Sequence, residues 1–157
     1  MTQGQSNDCD TLEKCQEAVK TNRSSSFLHF RIGEIYFQQG NMDKPGSQNC
    51  MPDKDTAASE VARANRPISI YPTNTILGCN SRRYMDAVNE FRRSLAGDLE
   101  PKWTEVWAHI NLGKIFDVTA QRERALTEYR LALRTKDNTR GALDEAKKYT
   151  EAPYKPN

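Results

Sequence analysis

The side chains in this sequence best suited to chemistry are two histidines in matching surroundings. His29 lies in the stretch HFRIGEIYF and His109 in HINLGKIFD, and each comes four residues before a glycine, Gly33 or Gly113. Histidine serves as a metal ligand or as a general acid or base. Neither is accompanied by a Ser-His-Asp pattern, a phosphate-binding glycine loop or a pair of catalytic carboxylates. Equivalent packing therefore explains both, and we expect no catalytic residue, no metal site and no cofactor.

Four cysteines, Cys9, Cys15, Cys50 and Cys79, are the other reactive side chains. None belongs to a CxxC pair, so the spacing of a zinc site is absent. Cys9 and Cys15 flank a predicted helix start and would pair in an exported protein, although we favour Cys15 as a free thiol on a buried helix face. Cys50 and Cys79 would close a second loop if oxidised. Because the cytoplasm keeps thiols reduced, this second disulfide is the lesser possibility. The sequence leaves the disulfide state of all four cysteines open.

The charge and the distribution of apolar residues give no support to two classes of protein. The 157 residues include 23 basic and 21 acidic side chains, a net charge of +2 that gives no reason to expect nucleic acid as a partner. No run of 18 apolar residues predicts a membrane span. The first ten residues, MTQGQSNDCD, lack the features of a secretory signal. We therefore expect a cytoplasmic protein, or an exported one if the chain is a fragment of a longer precursor.

A sequence pattern repeats around the two glycines. Each glycine precedes an aromatic residue by three positions, and further along each copy a small residue precedes an aromatic one by four. The aromatic residues after the glycines are Tyr36 and Phe116, and the later pairs are Ala87 with Phe91 and Ala125 with Tyr129. Such spacing places these residues on one face of a helix. The pattern resembles the tetratricopeptide repeat, a helix–turn–helix unit that reads L-G-x2-Y and then A-x3-F.

The two copies differ in the distance between their halves. Twelve residues separate Gly113 from Ala125, as the family requires, whereas 54 separate Gly33 from Ala87, and the difference is an insertion of 42 residues. The resemblance thus implies an all-α fold, a short α-solenoid of antiparallel helical hairpins with an irregular insertion and a C-terminal capping helix. The expected segments are a partial-repeat helix at 9–21, a first repeat at 24–41 and 84–97, an insertion at 42–83, a second repeat at 101–136 and a capping helix at 138–151.

The resemblance also implies a function, because repeats of this family bind peptides or partner helices on the concave face of their first, A-type helices. Matched by position, the residues expected on that face are Phe27, Phe30, Glu34 and Gln38 in the first repeat and Trp107, Ile110, Asn111 and Lys114 in the second. The chain is then a non-enzymatic interaction or scaffold module for a protein or peptide partner. Alternatively, these residues only pack against neighbouring helices.

Two further expectations concern the rest of the chain. The 42–83 insertion changes sharply in composition, with Pro45, Pro52, Pro67 and Pro72 among many polar residues, and in a second hypothesis it is the functional element, binding a ligand or driving self-association. Three glutamates alternate with arginines at near-helical spacing, which predicts a solvated, salt-bridged outer face. These glutamates are Glu90, Glu123 and Glu128.

Overall fold

The computed structural model describes residues 9–42 and 78–156, with side chains from residue 82 in the second range, and every regular element in them is helical. This confirms the all-α class. The helices are α1 (Leu12–Thr21), α2 (Ser26–Met42), α3 (Gly78–Leu95), α4 (Trp103–Val118), α5 (Arg122–Arg134) and α6 (Ala142–Glu151), with a 3₁₀ turn at Thr139–Gly141 before α6.

One helix begins earlier than the expected segments place it. Regular helix begins at Gly78 rather than at Tyr84, so residues 78–83 of the expected insertion belong to α3. Residues 43–77, the remainder of the insertion apart from Met42, lie outside the described residues. The hypothesis that the insertion is the functional element therefore stays a prediction.

Helices α2 and α3 run antiparallel and approach closely. At one end the Ser26 hydroxyl donates to the Ser94 carbonyl at 2.6 Å, while the Ser94 hydroxyl donates back to the Ser26 carbonyl at 2.8 Å. In the middle, a Cβ added to Gly33 would lie 2.8 Å from Cε1 of Phe91, a distance that real Cβ atoms do not adopt. Glycine at position 33 is thus what lets the buried Phe91 ring lie against the α2 backbone.

Helices α4 and α5 repeat this arrangement. The ring of Tyr129 in α5 lies against Gly113 in α4, too close for a side chain at that position. Each helix contacts the next one along the chain, and in addition α2 contacts α4 and α4 contacts α6. The chain therefore stacks consecutive helices, with α2, α4 and α6 placed side by side.

A disulfide between Cys9 and Cys15 fixes the segment before α1 to the first turns of that helix. Both residues are buried in a cluster with Leu28 and Ile32 of α2. Cys15 does lie on a buried helix face, but the favoured interpretation of it as a free thiol is wrong. The side chains of Cys50 and Cys79 lie outside the described part of the chain, so their pairing stays open.

Candidate functional site: an aromatic groove along α2 and α4

Both histidines are held by glutamates from the neighbouring helix. Nδ1 of His29 lies 2.7 Å from Oε2 of Glu90, and Nδ1 of His109 lies 2.7 Å from Oε2 of Glu128. Nε2 of His29 also lies 2.9 Å from the carbonyl oxygen of Arg23. The hydrogen bond to Glu90 raises the pKa of His29 above its ordinary value of 6.5. These contacts leave the first histidine bonded on both ring nitrogens, which is the environment of a structural side chain.

Those two glutamates were expected on a solvated outer face, and for Glu90 that expectation is wrong. Glu90 is 9% exposed and bonds both His29 and Arg93, the latter at 2.7 Å. Glu128 is partly buried beside His109. Each histidine lies four residues before the glycine that a partner-helix aromatic covers, and each glutamate immediately precedes that aromatic. Both glutamates therefore lie between the helices of a pair and contact a histidine there, rather than facing solvent.

A cavity of about 330 Å³ opens between the N-terminal halves of α2 and α4. Its walls are aromatic, because the Trp103 ring meets the Phe30 ring edge-on at 5.4 Å and the Phe27 ring edge-on at 6.0 Å. We call it the Trp103 cavity. Its lining residues are Cys9, Asp10, Phe27, Phe30, Arg31, Glu34, Trp103 and Arg140.

Charged groups surround the mouth of the Trp103 cavity. Arg31 and Glu34 form an ion pair at 2.6 Å, one turn apart on α2. Asp10 is paired with Lys14 at 2.8 Å, and this hydrogen bond lowers the pKa of Asp10. Arg140 reaches the cavity from the turn before α6, with its guanidinium carbon 5.1 Å from the centroid of the Trp103 ring. Its backbone has a φ of 58°, a left-handed conformation that non-glycine residues seldom adopt.

Three of the eight residues expected on the concave face meet in this cavity, namely Phe27, Phe30 and Glu34. Gln38 is exposed further along the same helix. Two of the remaining four are buried. Ile110 is 0% exposed and packs in a cluster with Val106, Ala132 and the α6 alanines Ala142 and Ala146. The expectation that its side chain faces a partner is therefore wrong, because α6 and α5 cover it.

Asn111 is only 7% exposed, and its side chain has no hydrogen-bond partner among the described residues.

Lys114 and Trp107 belong to a second feature, a cage of three rings. The Lys114 ammonium lies 5.4 Å from the ring centroids of both Tyr149 and Tyr154 and 5.9 Å from that of Trp107. It also pairs with Glu145. We call this group the Lys114 cage.

A buried carboxylate adjoins the Lys114 cage. Asp117, whose side chain is fully buried, accepts two hydrogen bonds from Arg122 at 2.9 and 3.1 Å. It also accepts one from the Tyr129 hydroxyl at 2.9 Å and one from the backbone N–H of Tyr154 at 2.8 Å. Burial, together with this contact to Asp117, strongly raises the pKa of Tyr129.

Sequence reasoning missed the functional potential of Trp103, Arg140, Asp117 and Tyr154. One signal was present: Asp117 occupies the position, four residues after the glycine, that Phe37 holds in the first copy. A carboxylate in place of a core aromatic points to a polar contact. Nothing in the sequence pattern assigned a place to Tyr154, which follows Pro153 after the last helix.

Across residues 9–42 and 78–156, no group of histidine, cysteine and carboxylate side chains is clustered tightly enough to hold a metal ion. None of the described helices combines the length and apolar character needed to cross a membrane. Compared with known proteins, the chain matches no family model, no curated protein and no solved structure.

Proposed function

We propose that this chain is a tetratricopeptide-like interaction module with two helical hairpins, α2 with α3 and α4 with α5. The support is a constellation that occurs in both hairpins with the same register, a histidine–glutamate pair beside a glycine–aromatic contact. His29 and Glu90 are 61 residues apart and His109 and Glu128 are 19 apart. These separations differ by 42, the length of the insertion deduced from the glycine and alanine spacing.

The side-by-side placement of α2, α4 and α6 gives the module a continuous face built from alternate helices. In such stacks this face serves as an extended binding surface. We call it the inner face, and it includes the Trp103 cavity and the Lys114 cage. The two histidines are committed to glutamates, so the proposed activity is binding without catalysis.

The observation that carries the functional proposal is the Trp103 cavity. Aromatic walls bury apolar surface with little loss of side-chain freedom, and they are typical of the anchor pockets that dominate binding energy. Arg140 makes no ion pair within the described residues, although Arg31, which lines the same cavity, is paired with Glu34. A peptide or partner helix that places an apolar side chain in the cavity and a carboxylate beside Arg140 fits this arrangement.

Selection from a random peptide display library against the purified full chain tests this function. We expect enriched peptides with an apolar residue near an acidic one, and we expect Arg140→Glu to weaken their binding at least about tenfold, since it replaces an attraction by a repulsion. Arg130→Glu is the matched control, because Arg130 is an exposed arginine of α5 away from the cavity. No enrichment, or equal weakening by both charge reversals, would reject the Trp103 cavity as a binding site.

If peptides are enriched, capture of partners from the native host followed by mass spectrometry identifies the natural one. The wild-type chain and Arg140→Glu would be used in parallel. Proteins retained by the first and lost by the second are the candidates, because only these depend on the cavity.

A further inference from the structure

After its last described helix ends, the chain continues along the inner face. Helix α6 ends at Glu151, and Ala152 adopts an extended backbone with φ of −135° and ψ of 136°, as a residue before proline prefers. Residues 152–156 then continue without helical structure, and Tyr154 is partly buried. This segment therefore lies against the body of the protein rather than projecting from it.

Tyr154 touches all three helices that form the inner face. Its ring centroid lies 6.1 Å from that of Phe37 in α2 and 5.4 Å from that of Tyr149 in α6, the latter edge-on. The Lys114 ammonium of α4 lies 5.4 Å from the same ring. A single side chain thus fills the space between alternate helices, as the anchor residue of a bound peptide does.

The main chain of this segment is also recognised. The N–H of Tyr154 donates to Oδ2 of Asp117 at 2.8 Å, and that carboxylate is held in place by Arg122 and Tyr129. A hydrogen bond to a charged, buried acceptor is among the stronger ones. Because it uses the backbone, any extended segment can make it, and only the ring contact selects the side chain.

The segment covers a residue that sequence analysis assigned to partner binding. The Lys114 side chain is 13% exposed, it pairs with Glu145, and the Tyr154 ring forms one side of its cage. A partner that contacts the Lys114 side chain must therefore displace the Tyr154 ring first.

We propose that residues 152–156 are an intramolecular ligand of the inner face, and that the surface under Tyr154 is a second subsite for an extended protein segment that offers an aromatic side chain and a backbone N–H to Asp117. This inference rests on the proposed function in so far as the inner face binds partners. A partner segment binds at this subsite only after it displaces residues 152–156. The apparent affinity of that partner is its intrinsic affinity multiplied by the fraction of molecules whose subsite is free.

The experiment uses a fluorescent synthetic peptide with the sequence of residues 151–157, EAPYKPN, and the full chain carrying Tyr154→Ser. This substitution removes the anchoring ring and leaves the subsite residues intact. We expect the peptide to bind Tyr154→Ser at least about tenfold more tightly than wild type, because a tail that is bound nine-tenths of the time blocks that fraction of the sites. Tyr154→Phe is the conservative control and should resemble wild type, since the ring is retained. A peptide with alanine in place of tyrosine should bind none of the three.

Amide NMR relaxation on the same proteins reports the tail directly. Tyr154 and Lys155 should be as rigid as the helices in wild type and in Tyr154→Phe, and flexible in Tyr154→Ser. Equal peptide affinity for wild type and Tyr154→Ser, or a flexible tail in wild type, would overturn the proposal. A wild-type mass of two chains whose tails are exchanged between copies would also overturn it, because the ligand would then not be intramolecular.

The two binding proposals can fail separately. Arg140→Glu, introduced into the Tyr154→Ser chain, should leave the affinity for the tail peptide unchanged while lowering that for peptides selected at the Trp103 cavity. If Arg140→Glu lowered both affinities, the two kinds of peptide would share one site. That result would contradict a distinct subsite under Tyr154.

Discussion

Nδ1 of His29 lies 2.7 Å from Oε2 of Glu90, and its Nε2 lies 2.9 Å from a backbone carbonyl oxygen. Both ring nitrogens therefore face acceptors, and both are satisfied only when each carries a proton. The interior of the first hairpin thus favours the imidazolium form, paired with the Glu90 carboxylate. Arg93, which also bonds Glu90, opposes this charge, but the hydrogen bond to Glu90 is the larger effect on the pKa of His29.

This pair makes stability depend on pH. Since the pKa of His29 is raised in the folded protein above its ordinary value of 6.5, its contribution to the free energy of unfolding is fully present below that value. The contribution is lost as the pH rises through the folded-state pKa. We expect chemical denaturation to show stability falling as the pH rises above 6.5 and through the raised pKa of His29, with a smaller decrease in His29→Gln. An identical pH dependence in both proteins would contradict the charged pair.

Gly33→Ala tests the close approach of α2 and α3. Alanine is the better helix former by about 1 kcal/mol, so an open site would gain stability from this change. The new methyl group would instead lie too close to the Phe91 ring, which is fully buried. We expect overpacking to cost about 1–3 kcal/mol and to leave a net loss in thermal or urea unfolding.

The matched experiment for that contact is a double-mutant cycle with Phe91→Leu. The smaller side chain costs stability by itself, but it makes space for the methyl group, so Gly33→Ala should cost less in this background. Additive effects of the two substitutions would show that the ring does not impose the glycine.

The disulfide between Cys9 and Cys15 closes a short loop, with a sequence separation of six. For a loop of this length, the chain-entropy account gives about 2 kcal/mol of stabilisation. Reduction should therefore lower the melting temperature of the wild-type chain by about 4–8 °C. In Cys9→Ser the melting temperature should already be lower and should not respond further to a reductant. A wild-type melting curve unaffected by complete reduction would contradict this role.

Sequence periodicity predicted the helices because each buries a stripe of apolar residues, and the stripe repeats at the helical period. It also grouped Phe27, Phe30 and Glu34, since residues on one face of one helix share a surface whatever the rest of the fold does. Ile110 was misplaced because only the three-dimensional path of α6 decides which side of α4 is covered. Arg140 and Tyr154 were missed for a related reason. A left-handed turn and an extended segment place them on the inner face, and neither leaves a periodic signal in the sequence.

Glu90 shows a different limit of sequence reasoning. Charged residues at helical spacing usually form a solvated face, and arginine neighbours strengthened that interpretation. A carboxylate is buried only when a partner compensates the loss of water, and here the partner is His29, 61 residues away. That separation includes the insertion, so local spacing gives no sign of the pair.

Phe27 and Trp107 hold corresponding positions in the two hairpins, and their truncation should have different effects. Phe27 is partly exposed, lines the Trp103 cavity and packs edge-on against Trp103. Trp107 packs against two core clusters, and its Nε1–H donates to the Thr139 carbonyl at 3.1 Å. We therefore expect Phe27→Ala to weaken peptide binding at a cost of under about 2 kcal/mol, below the range for a fully buried phenylalanine.

Trp107→Ala should cost about 3 kcal/mol, at the lower end of the range for large aromatic truncations because the ring is partly exposed. The corresponding fall in melting temperature is about 6–12 °C for a chain of this length. Trp107→Phe retains one aromatic ring but removes the Nε1–H donor and part of the indole surface. It should therefore cost about 1 kcal/mol more than the lost surface alone. Thermal melts of the three variants, read beside their affinity for a selected peptide, decide the matter. Equal large losses of stability in Phe27→Ala and Trp107→Ala would make both residues core, and Phe27 would then no longer support the Trp103 cavity as a binding site.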